Sequence, residues 1–432
     1  MTENEYGTKK FLVVDHIDDS RNTLKQLIYN LGASHIDSAF NANEVIPKCI
    51  DVTYDLIFLG YDLGESQKNG QQLLEELRMK NIISRQCIII MITAEVSQAM
   101  VLAALEHKPD DYITKPYTGK ELIKRIERSF SKKNTMSIIY EAMDSSDSNL
   151  VIELCDKAIK SSSDYKNECL GIMSRQHFDL QEFEQAKKIY LTYNDKKNCQ
   201  WATVGLGKIA LYEEKLEDAV ECFEKIIFEY PLYLSAYDWL AKTYQQMGEQ
   251  SKAESILEQA LLISPRSVSR IKKYAEMCTD SENFNKATEA YYQTNTLAYH
   301  SVHRDPENTI KFIESILEYS ENLSLQQTKS LTYKAFNVLR VMNKDFDTAD
   351  LKVLSQLLSA RLYSKIKETA HGNDVLYNAE RFIERRKKHI TPQGMLKISK
   401  SLLALKRNKK ANDLLIELAQ DNPEDVSLLA EI

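Results

Sequence analysis

Polar side chains that could share one chemical site follow the ends of four apolar runs in the first 116 residues. Asp15, Asp62, Thr93 and Lys115 each lie at or just beyond the end of such a run. Short apolar runs are typical of buried parallel strands, whose carboxyl ends meet at one edge of a sheet. Since carboxylates bind hard cations and pair with amines, ionic chemistry is expected at this edge.

The segments that must position these residues alternate between strand and helix. Strands are predicted from the apolar runs at residues 11–14, 35–39, 55–59, 87–92 and 112–114. Helices are predicted from apolar spacing at residues 21–31, 44–50, 71–80, 97–107 and 119–131. This alternation favours a doubly wound α/β domain with a parallel sheet.

Four motifs at the strand ends carry a specific resemblance. The segments FLVVDHIDDSR, DLIFLGYDLGE, MITAE and DDYITKPY resemble, in order and spacing, those of bacterial response-regulator receiver domains. The resemblance covers about residues 9–131 and implies a flavodoxin-like fold with five parallel strands. It also implies a phosphorylation switch, in which an aspartate after the third strand takes a phosphoryl group from a histidine kinase with the help of Mg²⁺.

The phosphorylation site that the resemblance implies is incomplete in this sequence. Asp15 matches the first member of the family's acidic pair, but His16 replaces the second. Gly60 stands at the phosphoacceptor position, while Thr93 and Lys115 match the residues that hold the phosphoryl group. Without a nucleophile and a second acidic Mg²⁺ ligand, standard phosphotransfer is expected to be lost. No catalytic residue, metal or cofactor is therefore predicted.

Asp62 leaves an alternative open. Strand side chains repeat with a period of two, so Asp62 could face the same side as position 60 and act as a substitute acceptor. The competing interpretation is a solvated acid in a loop.

The residues that remain are predicted to be structural. Asp15 and Lys115 should pair directly in the absence of an acyl phosphate and hold the loop after the fifth strand in one state. Tyr112 matches the family's aromatic switch position. Lys108 replaces a glycine that the family usually has, at a cost of up to about 1 kcal/mol if the backbone there is left-handed.

A 34-residue period organises much of the remaining chain. Small, aromatic or apolar, and proline positions recur at this interval: Ala219, Ala253 and Ala287; Phe223, Leu257 and Tyr291; Pro231 and Pro265. The pattern resembles that of tetratricopeptide repeats, which are paired helices stacked into a solenoid with a concave groove. A partner peptide or helix is expected to bind this groove near Leu206, Tyr237, Tyr244 and Tyr274.

Five segments follow from these patterns. A receiver-like domain is predicted at residues 8–131, a helical linker at 132–165, repeats at 166–300, degenerate helical repeats at 301–390 and a C-terminal repeat unit at 391–432.

Composition limits the classes of function. The net charge of −7 gives no general attraction to nucleic acid. The polar start is unlike a secretory signal, and the apolar run 87–92 is too short to span a membrane. Seven cysteines without a C-x-x-C pair indicate reduced thiols. These features predict a cytoplasmic protein with neither nucleic acid nor membrane as a partner.

Two further patterns have plain interpretations. His300 and His303, with Asp305 close behind, have a conceivable metal-binding spacing but lack a fourth ligand. The basic run at 385–389 could contact nucleic acid or an acidic partner, but cations are ordinary at the end of a helix.

Together the patterns predict a non-enzymatic adaptor in a two-component phosphorelay. Its receiver-like domain would contact a histidine kinase or another response regulator through the face formed by the fourth helix, fifth strand and fifth helix. Two alternatives stay open. One is a phosphorylatable regulator that uses Asp62 to control the repeats, and the other is a scaffold that forms a homodimer through the receiver-like domain.

Overall fold

Strands of four to six residues form a parallel sheet in the computed structural model, which describes residues 6–64, 67–94, 97–161, 164–423, 425, 427 and 428. The strands are β1 (Lys10–Val14), β2 (His35–Ala39), β3 (Leu56–Gly60), β4 (Ile88–Thr93) and β5 (Asp111–Thr114). Their order in the sheet is β2-β1-β3-β4-β5, and all neighbours are parallel. β3 and β4 are buried throughout, which explains their unbroken apolar sequence.

Helices cover both faces of the sheet. They are α1 (Asp18–Asn30), α2 (Ala42–Asp51), α3 (Gly70–Met79), α4 (Gln98–Glu106) and α5 (Gly119–Asp144). One apolar cluster joins the sheet to α1 and α5, and another joins it to α2, α3 and α4. The predicted five-stranded flavodoxin-like fold is thereby confirmed.

The prediction that α5 ends at Ser131 is wrong. The helix continues to Asp144, into the segment predicted as a helical linker. Lys133 in that segment is buried and pairs with Asp110 at 2.8 Å, and Met136 is buried one turn later. The burial of Lys133 depends on this partner and is not visible in the local sequence.

The rest of the described chain is helical. The helices are α6 (Ser148–Lys160), α7 (Lys166–Asp179), α8 (Phe183–Tyr193), α9 (Gln200–Tyr212), α10 (Leu216–Glu229), α11 (Leu234–Gln246), α12 (Gln250–Ile263), α13 (Val268–Asp280), α14 (Phe284–Ala298), α15 (Pro306–Tyr319), α16 (Leu325–Asp345), α17 (Ala349–Lys365), α18 (Thr369–Arg386), α19 (Pro392–Ala404) and α20 (Asn408–Asp421). No helix in the described part of the chain has the length and apolar content needed to cross a membrane.

The chain divides into two compact units, Met1–Arg270 with His300–Val302, and Ile271–Tyr299 with His303–Ile432. In the first unit, consecutive helices pack as α9 on α10 and α11 on α12. In the second unit, α14 packs on α15, α17 on α18 and α19 on α20. The limits of the five segments proposed above stay predictions.

The 34-residue positions are packing positions, as the repeat pattern predicts. Ala219, Ala253 and Ala287 are fully buried. The apolar residues four positions later are buried as well, and Pro231 and Pro265 follow the ends of α10 and α12. The second part of the chain is therefore a helical, repeat-like region of the tetratricopeptide kind.

A closely similar spacing, of 33, 34 and 34 positions, separates four residues in the turns that join paired helices. Gln181, Glu214, Gly248 and Glu282 have φ values of 60, 60, 77 and 58°. Glycine adopts a left-handed backbone conformation without strain, whereas a residue with a Cβ is strained there.

Replacing Gly248 with alanine is expected to lower the free energy of unfolding by about 1 kcal/mol. No atom lies within 4 Å of the position that the new Cβ would take, so the cost is conformational. Chemical denaturation of the full chain measures it. Gly248→Asn is the matched control, because asparagine tolerates the left-handed region; an equal loss in both variants would contradict the explanation.

Candidate functional site

The carboxyl ends of β1, β3, β4 and β5 enclose a pocket, as expected for a doubly wound sheet. The residues predicted for the phosphorylation site all line this pocket: Asp15, His16, Gly60, Asp62, Thr93 and Lys115. Register explains their proximity, since Gly60 pairs with Ile92 and Thr93 with Thr114 across neighbouring strands.

Asp15 and Lys115 form a direct ion pair in this pocket. The Lys115 Nζ lies 2.8 Å from Asp15 Oδ2 and 2.8 Å from the Oγ of Ser20. Ser20 Oγ donates to the same carboxylate at 2.7 Å, and the Ile17 amide donates to its other oxygen at 2.9 Å. The lysine and both oxygens of the carboxylate are thus engaged within the protein.

The protonation of Asp15 reflects these contacts. Burial acts to raise its pKa, but the hydrogen bonds from Lys115, the Ile17 amide and Ser20 outweigh burial. The net pKa lies below the ordinary value of 3.8, so Asp15 is a carboxylate at neutral pH.

Lys115→Met is expected to lower the free energy of unfolding by about 2 kcal/mol at pH 7, because it leaves a buried carboxylate without its cation. A depressed carboxyl pKa contributes stability that is present above the ordinary value of 3.8 and is lost as pH falls through the lower folded value. The difference between wild type and variant should therefore shrink as pH falls below about 4.

Denaturation between pH 3 and pH 8 measures this effect. Lys120→Met, which removes an exposed lysine from α5, is the matched control. A Lys115→Met deficit that does not vary with pH would contradict the ion-pair explanation.

Gly60 leaves no carboxylate at the end of β3. A Cβ placed on Gly60 would lie 3.0 Å from the carbonyl oxygen of Val14 and 3.4 Å from the Cα of Asp15. The backbone of β1 therefore closes tightly over this position, and a larger side chain would require β1 and β3 to shift.

His16 and Asp62 contact each other at the rim of the pocket. The His16 Nδ1 lies 3.0 Å from the carbonyl oxygen of Asp62, and its Nε2 lies 3.9 Å from Asp62 Oδ2. The Asp62 side chain is 73% exposed, and its Oδ1 accepts a hydrogen bond from the Gly64 amide at 2.9 Å. Asp62 thus lies in the loop after β3 with one oxygen used by that loop.

Lys108 has a φ of 52°, so it takes the left-handed backbone expected where the family has glycine. Tyr112, at the predicted aromatic switch position, packs against the apolar cluster beneath α4.

Contacts that the sequence did not reveal join α4 to the repeat helices of the same compact unit. Arg270 is 4% exposed and binds Asp238 at 2.8 Å and Glu106, the last residue of α4, at 3.0 Å. Leu102 of α4 packs on an apolar cluster that includes Leu234 and Tyr237. The chain's own repeats therefore cover part of α4, and contact of a kinase with the face formed by α4, β5 and α5 stays a prediction.

The pocket itself is linked to the same helices. Arg266, which follows α12, lines the pocket and donates to the Tyr61 hydroxyl at 3.3 Å. Only a structure could show this, since the two residues are 205 positions apart.

The residues named for the repeat groove pack inside the repeats. Tyr237, Tyr244 and Tyr274 are buried, and Leu206 packs against a buried cluster. The Tyr237 hydroxyl donates to the Pro231 carbonyl at 3.1 Å. The groove surface is formed instead by residues near these in the sequence, such as Leu234 and Asp238.

The two remaining patterns assemble no site. In the described residues, no group of three or more His, Cys, Asp or Glu side chains is placed to hold a metal ion, and His300, His303 and Asp305 form none. Within the basic run, Arg385 and Arg386 are exposed at the end of α18.

Comparison with known proteins identifies the α/β domain. Residues 11–127 match the response regulator receiver domain family. Chemotaxis protein CheY1 of Helicobacter pylori is 32% identical over 118 residues, which are 27% of this chain and 94% of CheY1. Transcriptional regulatory protein ResD of Bacillus subtilis is 33% identical over 118 residues, which are 27% of this chain but only 46% of ResD.

A solved two-component response regulator from Clostridium difficile is 30% identical and aligns with a TM-score of 0.27, covering 29% of this chain and 99% of that one. Through its α/β domain, the chain belongs to the response regulator receiver domain family.

Proposed function

We propose that the chain is a non-enzymatic adaptor of a two-component pathway whose receiver works without phosphorylation and whose repeats bind a partner protein. One observation carries the proposal. Lys115, which would hold a phosphoryl group in an active receiver, is already bound by Asp15 and Ser20, while Gly60 stands at the acceptor position. The acceptor position thus has no nucleophile, and the lysine that would hold the phosphoryl group is already engaged within the protein.

The metal requirement of phosphotransfer supports the same proposal. Mg²⁺ prefers carboxylate and water ligands in near-octahedral geometry. Asp15 is engaged by its three internal donors, and His16 supplies no carboxylate beside it. The residues present therefore do not fit the metal site of an active receiver.

The link between receiver and repeats suggests how such an adaptor would work. In an active receiver, phosphorylation biases two conformations. Here Arg270, Leu102 and Arg266 hold α4 and the pocket rim against the repeats. A histidine kinase or another response regulator would contact the receiver in this one state, and the repeats would bind the second partner.

The test is to incubate the full-length protein with acetyl phosphate and Mg²⁺, or with beryllofluoride and Mg²⁺, beside a phosphorylatable receiver as positive control. Intact mass and tryptophan fluorescence report the result. No adduct and no spectral change are expected.

The alternative, a regulator that uses Asp62 as acceptor, gives the opposite result. It requires a Mg²⁺-dependent mass increase of one phosphoryl group that Asp62→Asn abolishes. That outcome would overturn the proposal.

A further inference from the structure

A groove of about 900 Å³ opens in the first compact unit between α4 and the repeat helices α7, α9 and α11. Aromatic side chains form much of its wall: Phe178, Tyr190, Trp201, Tyr212, Tyr233 and Trp239. The chain has two tryptophans, and both line this groove.

Three cations from three separate elements face the groove. Lys108 follows α4, Arg175 lies on α7 and Lys208 lies on α9. Within the residues that the structure describes, none of the three forms an ion pair with a carboxylate. The Lys208 Nζ lies over a π surface, 4.6 Å from the centre of the Trp239 ring.

These cations repel one another. Burial lowers the pKa of Lys208 to about 8, and the charges of Arg175 and Lys108 act in the same direction against the opposing charge of Asp179. The pKa of Lys108 is also lowered, first because the protein around its amine displaces water and then by the charges of Arg175 and Arg85. An anion in the groove would offset this repulsion.

The acidic residues of the groove do not neutralise the set. Glu106 and Asp238 are both bound by Arg270, which leaves Asp179 as the nearby carboxylate. The three unpaired cations therefore outnumber the free acid. Lys108 and Arg175 are exposed and Lys208 is half-buried, so a ligand can reach them.

We propose that this groove binds an extended acidic peptide segment of a partner protein. Carboxylates of the segment would contact Lys108, Arg175 and Lys208, and an apolar or aromatic side chain next to them would pack on Trp201 and Trp239. The inference rests on the proposed function in that the repeats bind a partner, and it adds the chemistry of that partner. Because Lys108 belongs to the receiver, both parts of the chain form the site.

A peptide fits these observations better than a nucleic acid. Nucleic-acid surfaces carry broad positive potential and many phosphate contacts, whereas this chain has a net charge of −7. A concave surface between paired helices is the usual place where helical repeats hold a peptide.

Tryptophan fluorescence of the full-length protein tests the proposal directly. The probe is the peptide acetyl-EDFEDLED-amide, and its neutral counterpart acetyl-QNFQNLQN-amide has the same apolar residues. We expect saturable quenching with a Kd of about 10 to 100 µM for the acidic peptide and at least about tenfold weaker binding of the neutral one. The double variant Arg175→Gln/Lys208→Gln should weaken acidic-peptide binding at least about tenfold.

Lys242→Gln is the matched control, because Lys242 also lies over the Trp239 ring, at 4.9 Å, but does not line the groove. It should change the Kd less than about twofold. Three results would each overturn the proposal: equal binding of the two peptides, absence of quenching up to millimolar peptide, or an equal loss of affinity in Lys242→Gln and in the double variant. Tighter binding of the oligonucleotide dT10 would assign the groove to nucleic acid instead. A phosphoryl adduct in the mass experiment leaves these outcomes unchanged, so the two proposals can fail separately.

Discussion

Replacing Arg270 with methionine is expected to lower the free energy of unfolding of the first compact unit by about 3 kcal/mol. The Arg270 side chain is 4% exposed and binds Asp238 and Glu106. Burial acts to lower its pKa, but the bonds to the two carboxylates outweigh burial and raise it. Without the guanidinium, two partly buried carboxylates face each other uncompensated, which is the costly way to break a buried ion pair.

Urea denaturation followed by tryptophan fluorescence measures this loss, since both tryptophans lie in the same compact unit. Arg266→Met is the matched control. It removes another arginine of the same segment, whose side chain donates a hydrogen bond of 3.3 Å to the Tyr61 hydroxyl, and it should lower the free energy of unfolding by less than about 1 kcal/mol.

A triple variant, Glu106→Gln/Asp238→Asn/Arg270→Met, separates charge from packing. If the unpaired carboxylates cause the loss, the triple variant should recover about half of it. Equal stability of Arg270→Met and Arg266→Met would show that the buried ion pairs contribute little.

The fold could be predicted from local patterns where the elements are apolar or follow the repeat period. β3 and β4 are buried on both faces, so their sequence is uniformly apolar. The fully buried Ala219 and Ala253 show the repeat period directly, since only a small side chain fits where paired helices approach.

Part of the site could also be predicted from the sequence. The pairing of Asp15 with Lys115 follows from two strand ends of one sheet, which topology brings together. The position of Ser20 in the same cluster, by contrast, depends on the path of α1 after β1.

The contacts between receiver and repeats could not be predicted. Arg270 lies 32 residues from Asp238 and 164 from Glu106, and its sequence context on α13 is that of an ordinary exposed cation. The burial of Lys133 is hidden in the same way, because it depends on pairing with Asp110. A charged residue shows its type in the sequence, but its burial depends on a partner that folding brings near.

Gly70, like Gly60, lies where the surrounding backbone leaves little room for a side chain. Gly70 begins α3, and its amide donates to the Tyr61 carbonyl at 2.7 Å. A Cβ on Gly70 would overlap the carbonyl oxygen of Gly60 and lie 3.2 Å from the Cα of Tyr61. The start of α3 therefore lies directly against the end of β3, and this contact shapes the floor of the pocket.

Gly70→Ala is expected to lower the free energy of unfolding by about 3 kcal/mol, because the clash involves main-chain atoms of β3 that cannot rotate away. Gly119→Ala is the matched control. Gly119 also begins a helix after a side-chain cap, but its Cβ would meet the flexible end of Leu27 at 3.1 Å. Alanine's better helix propensity should make that variant neutral within about 0.5 kcal/mol. Denaturation of both proteins decides the point: equal stability would mean that β3 and α3 can separate, and the pocket would then have room at Gly60 for a side chain.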